Sequence, residues 1–209
     1  MKILVATTMF PNKYNPFSGV FIKNHLELMK TKFGIESIVI TGDGSNQSKL
    51  LILKKYLLFF CRMLWSLLFK NFDLIHVHFS YPTGLLSIIG KWITKKKIII
   101  TTHGSDINQH KKRNFLSRYL NKLALEGCNH IIAVSDDLKR KIISQFSISA
   151  EKISVIDMGF NTQIFRYSQD NNNQFDNPFI MLFVGRLIPA KGFELLIDAI
   201  EKLHLQANS

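Results

Sequence analysis

Short apolar runs alternate with longer segments of helical spacing along most of the chain. Ile3 to Thr7, Ile35 to Ile40, Leu74 to Val77, Ile98 to Thr102, His130 to Val134 and Ile153 to Ile156 read as buried strands. Helices fall between them. Val20 to Lys32, entered through Ser18-Gly19, carries Val20, Phe21, Leu26, Leu28 and Met29 at helical positions. Ser135-Asp136-Asp137 supplies a hydroxyl cap and two acids to a helix over Leu138 to Phe146, where the macrodipole favours negative charge. Strand and helix in regular succession predict an α/β fold, a Rossmann-like parallel sheet with helices on both faces.

The pattern restarts late. Phe179 to Val184 reads as a new strand that breaks at Gly185, and Phe193, Leu196, Ile197 and Ile200 continue it as a helix. Gln169 to Pro178, with its Asn run, lacks apolar periodicity and reads as a linker. The expected organisation is a whole domain over residues 1–168, a linker over 169–178 and the start of a second, incomplete α/β domain over 179–209. The final stretch, Leu203 to Ser209, drifts from the apolar helical pattern, as a truncated or frame-shifted reading would.

Leu50 to Lys70 is apolar nearly all round. Such a helix packs in a core, or lies at a membrane interface with Lys54, Lys55, Arg62 and Lys70 meeting anionic lipid. Its most lipophilic part, Tyr56 to Phe69, is shorter than the roughly 20 residues a bilayer requires and is interrupted by Arg62. The opening run is also too short for a signal peptide, so no export is expected.

Composition narrows the class. At 209 residues, 46% hydrophobic and 20% charged, the chain has the profile of a globular protein. Cys61 and Cys128 lie far apart in apolar segments, which predicts neither a disulfide framework nor a zinc site and fits a reducing, cytoplasmic setting. Net charge is +12, with clusters at Lys95-Lys96-Lys97, Lys111-Lys112-Arg113 and Lys139-Arg140-Lys141. These attract phosphates or an anionic surface such as the inner face of a membrane. A lysine-rich compositional bias with solvated faces is the alternative, and no nucleic-acid-binding signature accompanies them.

Chemistry is expected just after the strands, because ligands of open α/β sheets bind at the carboxyl ends. Gly19 closes a long loop after the first strand and lets helix-terminal amides approach an anion, although any tight turn could use a glycine. His76 and His78 alternate on one side of the third strand. With no third ligand placed, a metal pair is the weaker reading; one imidazole bonding within the sheet edge and the other bordering the cleft is the stronger. The fourth strand ends in Thr102-His103-Gly104-Ser105-Asp106. Here His103 could donate to a sugar hydroxyl or developing charge, and Asp106 could orient a hydroxyl or cap the next turn. Arg186 and Lys191 flank the Gly185 turn as a guanidinium fork and an ammonium point charge suited to phosphate.

These residues in this order resemble the group 1 (family 4) glycosyltransferases of the GT-B fold. The resemblance runs through Pro16 to Phe21, Asp73 to His78, Thr102 to Asp106, Ala133-Val134-Ser135, Val155 to Phe165, and Val184 to Leu187 with Lys191-Gly192. It implies the acceptor-side domain of an enzyme that transfers a hexosyl group, with retention, from a UDP- or GDP-linked sugar. The implied acceptor is a glycan, lipid or small molecule, in bacterial polysaccharide or glycolipid synthesis, and neither metal nor cofactor is required. Arg186 and Lys191, with Gly19 amides, would stabilise the leaving diphosphate, and His103 would sit beside the transferred sugar.

Three departures accompany the resemblance. Asp157-Met158-Gly159-Phe160-Asn161 stands where the family has Pro-Asn-Gly-Val-Asp, and keeps only the glycine in place. The family's donor-binding glutamates belong to the part of the second domain beyond Ser209. The drift of the final residues is the third. The chain alone is therefore expected to be inactive. A GT-B nucleotide-sugar epimerase and a non-catalytic module binding a membrane surface or partner are the other readings.

Overall fold

A computed structural model describes residues 1–41, 48–109, 113–159, 162, 165, 181–185 and 187–207. The chain divides into two compact units, Met1–Gly159 and Phe160–Ser209. The first is built on strands β1 (Lys2–Ala6), β2 (Glu36–Ile40), β3 (Leu74–His78), β4 (Lys97–Thr102), β5 (His130–Ala133) and β6 (Ile153–Val155). All pair in parallel, in the order β2-β1-β3-β4-β5-β6. Each predicted strand of this unit forms within a residue or so of its expected bounds.

Helices α1 (Val20–Phe33), α2 (Lys49–Phe69), α3 (Leu85–Thr94), α4 (Ser105–Asn108), α5 (Phe115–Gly127) and α6 (Asp136–Phe146) connect the strands. Strand alternation divides the apolar side chains between two faces of the sheet. Ile3 and Val5 meet Ile22 and Leu26 of α1 on one face. Leu4, Ile75, Val77, Ile98, Ile100 and Ile131 meet α2, α5 and α6 on the other. Burying each such side chain contributes about 1.5–3 kcal/mol relative to exposure. Local caps agree with this arrangement. The Ser48, Asn114 and Ser135 side chains accept hydrogen bonds from the amides of Leu51, Ser117 and Leu138, which opens α2, α5 and α6.

Helix α2 packs in the core along one side only. Phe59, Met63 and Leu67 are buried in the core, while Leu50, Leu57, Trp65 and Leu68 stand exposed. No helix among the described residues is long and apolar enough to cross a membrane.

The second unit departs from expectation in one place. No strand forms over the described residues 181–184, because an extended segment becomes a strand only where a neighbour accepts its backbone hydrogen bonds. The last helix, α7 (Phe193–Ala207), runs further than the apolar pattern does. Leu, Gln and Ala propagate a helix well without an apolar stripe, so the helix continues through the residues where the apolar pattern drifts. The predicted linker at 169–178 lies outside the described residues.

Candidate functional site

The strand order reverses between β1 and β3, since the chain leaves β1 for β2 on one side and returns past it to β3. In a parallel sheet that reversal opens a crevice at the carboxyl ends of the two strands. Thr7 follows β1 there, and its hydroxyl both donates to the Met9 carbonyl and accepts from the Met9 amide, at 3.1 Å each. The Asn12 side chain ties the next turn by accepting from the Tyr14 and Asn15 amides. The loop then arrives at Gly19 with φ 65°, where a Cβ would overlap the Met9 carbonyl. Only glycine meets both conditions. Helix α1 starts immediately after it, so its N-terminal amides lie at the sheet's carboxyl edge, that of Ile22 donating to the Gly19 carbonyl at 2.9 Å.

Strands β3 and β4 bring the imidazoles together. Their register sets His78 opposite Thr101, so His76, His78 and Thr101 share a face. His76 Nε2 is 2.8 Å from Thr101 Oγ1, a bond between neighbouring strands. His78 Nδ1 is 3.0 Å from His103 Nε2, just beyond the end of β4. His76 thus bonds inside the sheet, the role expected of one imidazole, while the buried His78 reaches His103 at the sheet's carboxyl edge. The His103 ring packs against Phe21 of α1 at 4.9 Å and Phe79 at 4.7 Å, centroid to centroid. A half-buried imidazole is thus held by two aromatic rings and a hydrogen bond.

Burial sets the charge state. Desolvation pulls His76 and His103 down to about 4, with repulsion from His25 adding to both, and puts His78 well below 6.5. At neutral pH all three rings are neutral, and the His78–His103 bond carries a single shared proton. His78 Nε2 is buried and has no partner among the described residues.

Asp106 is 1% exposed. Its Oδ2 accepts from the Ser80 amide at 2.9 Å and the Ser80 hydroxyl at 3.1 Å, and its Oδ1 from the His103 amide at 3.2 Å. Those bonds favour the carboxylate, but desolvation is the larger effect and raises its pKa overall. Asp106 therefore ties the loop after β3 to the loop after β4 and fixes the backbone of His103; it acts through other residues. Phe79, buried with φ 74°, and Ser80 belong to the same clasp. Neither they nor the Phe21 contact could be assigned from spacing, because each comes from a different element.

Lys191 lies in the second unit, in a short turn Pro189–Lys191 ended by Gly192 at φ 70°, and is exposed. Arg186 lies outside the described residues. Among the described residues no group of three or more His, Cys, Asp or Glu side chains is placed to hold a metal ion.

The family model described as Glycosyltransferase Family 4 matches residues 34–164, more than half of the chain and the span that contains His76, His78, His103 and Asp106. The chain belongs to this family. An uncharacterized glycosyltransferase of Methanocaldococcus jannaschii is 28% identical over 96% of this family 4 chain and 58% of its own length. The putative teichuronic acid biosynthesis glycosyltransferase TuaC of Bacillus subtilis is 24% identical over 97% of this chain and 63% of its own. The chain thus spans about three-fifths of the length of these relatives. Among solved structures, Anabaena HepE in complex with UDP and glucose aligns with a TM-score of 0.64 at 19% identity, over 97% of this chain and 58% of that one. The UDP-GlcNAc 2-epimerase of Neisseria meningitidis aligns with a TM-score of 0.50 at 16% identity, over 74% and 45%. At such identities the likeness is one of fold, and it agrees with the Rossmann-like sheet of the GT-B architecture.

Proposed function

We propose that this family 4 chain forms the acceptor side of a glycosyltransferase that moves a hexosyl group, with retention, from a UDP- or GDP-linked sugar to a glycan or lipid-linked acceptor in polysaccharide or glycolipid synthesis. The observation that carries the reading is the neutral His103 imidazole, held by His78, Phe21, Phe79 and the Asp106 clasp at the crevice where the sheet reverses. A neutral ring can offer its N–H to a sugar hydroxyl without adding a charge that competes with those on the diphosphate. Asp106 is the positioning residue for that ring.

Charge on the leaving diphosphate has to be met by fixed groups. We assign part of that task to the α1 amides that follow Gly19, and part to Arg186 and Lys191, on the strength of the family resemblance of the Gly185 to Gly192 turn. Protein cations fill this role in the proposal, and no cofactor enters it. The HepE complex, crystallised with UDP and glucose, supports a nucleotide-sugar donor.

Because the family's donor-binding glutamates lie outside the 209 residues, the chain by itself is expected to release no UDP from UDP-glucose and no GDP from GDP-mannose. Fusion to the C-terminal domain of a longer family member should restore transfer. Turnover by the purified chain alone would contradict the first statement, and a folded fusion that binds donor yet never transfers would contradict the second. The epimerase fold neighbour gives a second product to look for: NMR of UDP-N-acetylglucosamine incubated with the fusion should show no 2-epimer.

A further inference from the structure

The outer side of α2 carries exposed apolar residues along its length, with the exposed Lys54 set among them. Leu50, Leu57, Trp65 and Leu68 are 74%, 61%, 53% and 56% exposed, and Cys61 between them is exposed too. Successive 100° steps place these five residues on a single stripe, opposite the core-facing Phe59 and Met63. Trp92 of the neighbouring α3 extends it at 82% exposure. A patch of this size on a folded chain marks a binding surface.

Charge decides what it binds. Residues 44–105 contain nine Lys and Arg, of which Arg62 donates to the Thr41 carbonyl and Lys91 to the Gly127 carbonyl, and a single acid, Asp73, which accepts a hydrogen bond from the Lys2 amide. Helices α2 and α3 carry no acid at all. Lys70 lays its Nζ over the Trp65 ring at 4.7 Å, keeping its stem on the apolar surface and its charge at the margin. A second copy of the chain would set against each other two faces that carry lysines and no acid. An anionic bilayer satisfies both features, apolar stripe inward and cations toward the headgroups.

We propose that the outer face of α2, with Trp92 of α3, seats in the headgroup region of an anionic lipid bilayer. The helix lies along the surface, since it is not apolar enough to span. The docking stands on its own observations and does not depend on the transferase reading.

Trp65 and Trp92 are the two tryptophans of the chain, so intrinsic fluorescence reports on this face alone. The full chain should be mixed with phosphatidylcholine vesicles containing about one-third phosphatidylglycerol, and with pure phosphatidylcholine vesicles, at about 50 mM salt. Sedimentation with the anionic vesicles, a blue shift of emission and quenching by brominated acyl chains are the expected results. Leu57→Glu with Leu68→Glu, checked for folding by circular dichroism, should weaken binding more than about tenfold. Quenching of the wild-type chain serves as the readout should that variant fail to fold. Absence of binding to anionic vesicles would overturn the proposal. So would sedimentation without blue shift or quenching, which would place the contact on another basic face. A blue shift that grows with protein concentration in the absence of lipid would overturn it in favour of a second copy.

Discussion

His78 Nδ1 and His103 Nε2 stand 3.0 Å apart, joining the end of β3 to the first residue beyond β4. With both rings neutral, one nitrogen donates and the other accepts, so the proton on His78 selects the tautomer of His103 and hence which of its atoms is presented to the crevice. His78→Ala should release that choice. In a transfer-competent fusion we expect kcat to fall about tenfold to a hundredfold while the donor KM moves little. His78→Asn, which keeps a hydrogen-bonding atom close to the ring-nitrogen position, should recover part of the loss; an equal loss in both variants would make His78 a packing residue only.

The imidazole cluster also makes stability depend on pH. Unfolded histidines titrate near 6.5, whereas His76 and His103 titrate near 4 in the folded chain. Between those values the unfolded chain binds protons that the native chain refuses, so stability is full above about 6.5 and is lost as pH falls through about 4. His78 and His25 are lowered too and act in the same direction. Asp106, being raised, opposes them, but it is one group against four. Each of His76 and His103 should account for a loss on the order of 3 kcal/mol between pH 7 and pH 4. Urea melts across that range check it, and a His76→Gln variant should flatten the curve.

Asp106 offers a sharper case. Replacing it with Ala leaves the Ser80 amide, the Ser80 hydroxyl and the His103 amide without their acceptor in a buried place. That should cost about 3–5 kcal/mol, as removal of a buried, hydrogen-bonded charge does. Asp106→Asn keeps an acceptor oxygen and sheds the desolvated charge, and should cost less than about half as much. Denaturant unfolding of the two variants separates the contributions; equal costs would mean that charge, not hydrogen bonding, holds the clasp.

Much of this architecture was legible in the sequence because parallel strands buried on both faces leave continuous apolar runs, as at Ile98 to Thr102. The candidate site was legible only in part. His103 and Asp106 stood out by following a strand beside a glycine, but the His78 and Phe79 partnership depends on the register of β3 against β4, which a single sequence does not fix. Helix α2 shows the opposite problem. With apolar residues at nearly every position, periodicity could not say that Phe59 faces inward and Leu57 outward. The run before Gly185 looked like a strand because apolarity reports burial potential, whereas a strand also requires a partner.

Gly19 is expected to tolerate no side chain. Alanine there would have to hold φ near 65° and also push back the Met9 carbonyl. We expect Gly19→Ala to cost more than about 2 kcal/mol and to displace the start of α1 from the crevice. Gly192→Ala provides the control, since φ is 70° there with nothing within 4 Å of the added carbon. It should cost only about 1 kcal/mol, from backbone strain alone. Thermal melts of the two variants would show the difference, and equal effects would remove the steric part of the argument.

The two sides of α2 should respond oppositely to truncation. Phe59 is fully buried against the sheet, so Phe59→Ala opens a cavity and should cost about 3–5 kcal/mol. Leu57, two residues earlier and 61% exposed, contributes little to the fold, and Leu57→Ala should stay within about 0.5 kcal/mol of the parent in urea unfolding. The same Leu57→Ala change should nonetheless weaken binding to anionic vesicles, because the methyl groups it removes are the ones directed away from the core. A substitution that leaves stability intact and reduces lipid affinity would separate the folding face of this helix from its binding face. A large stability loss at Leu57 would instead place that residue in the core and leave the outer stripe without its centre.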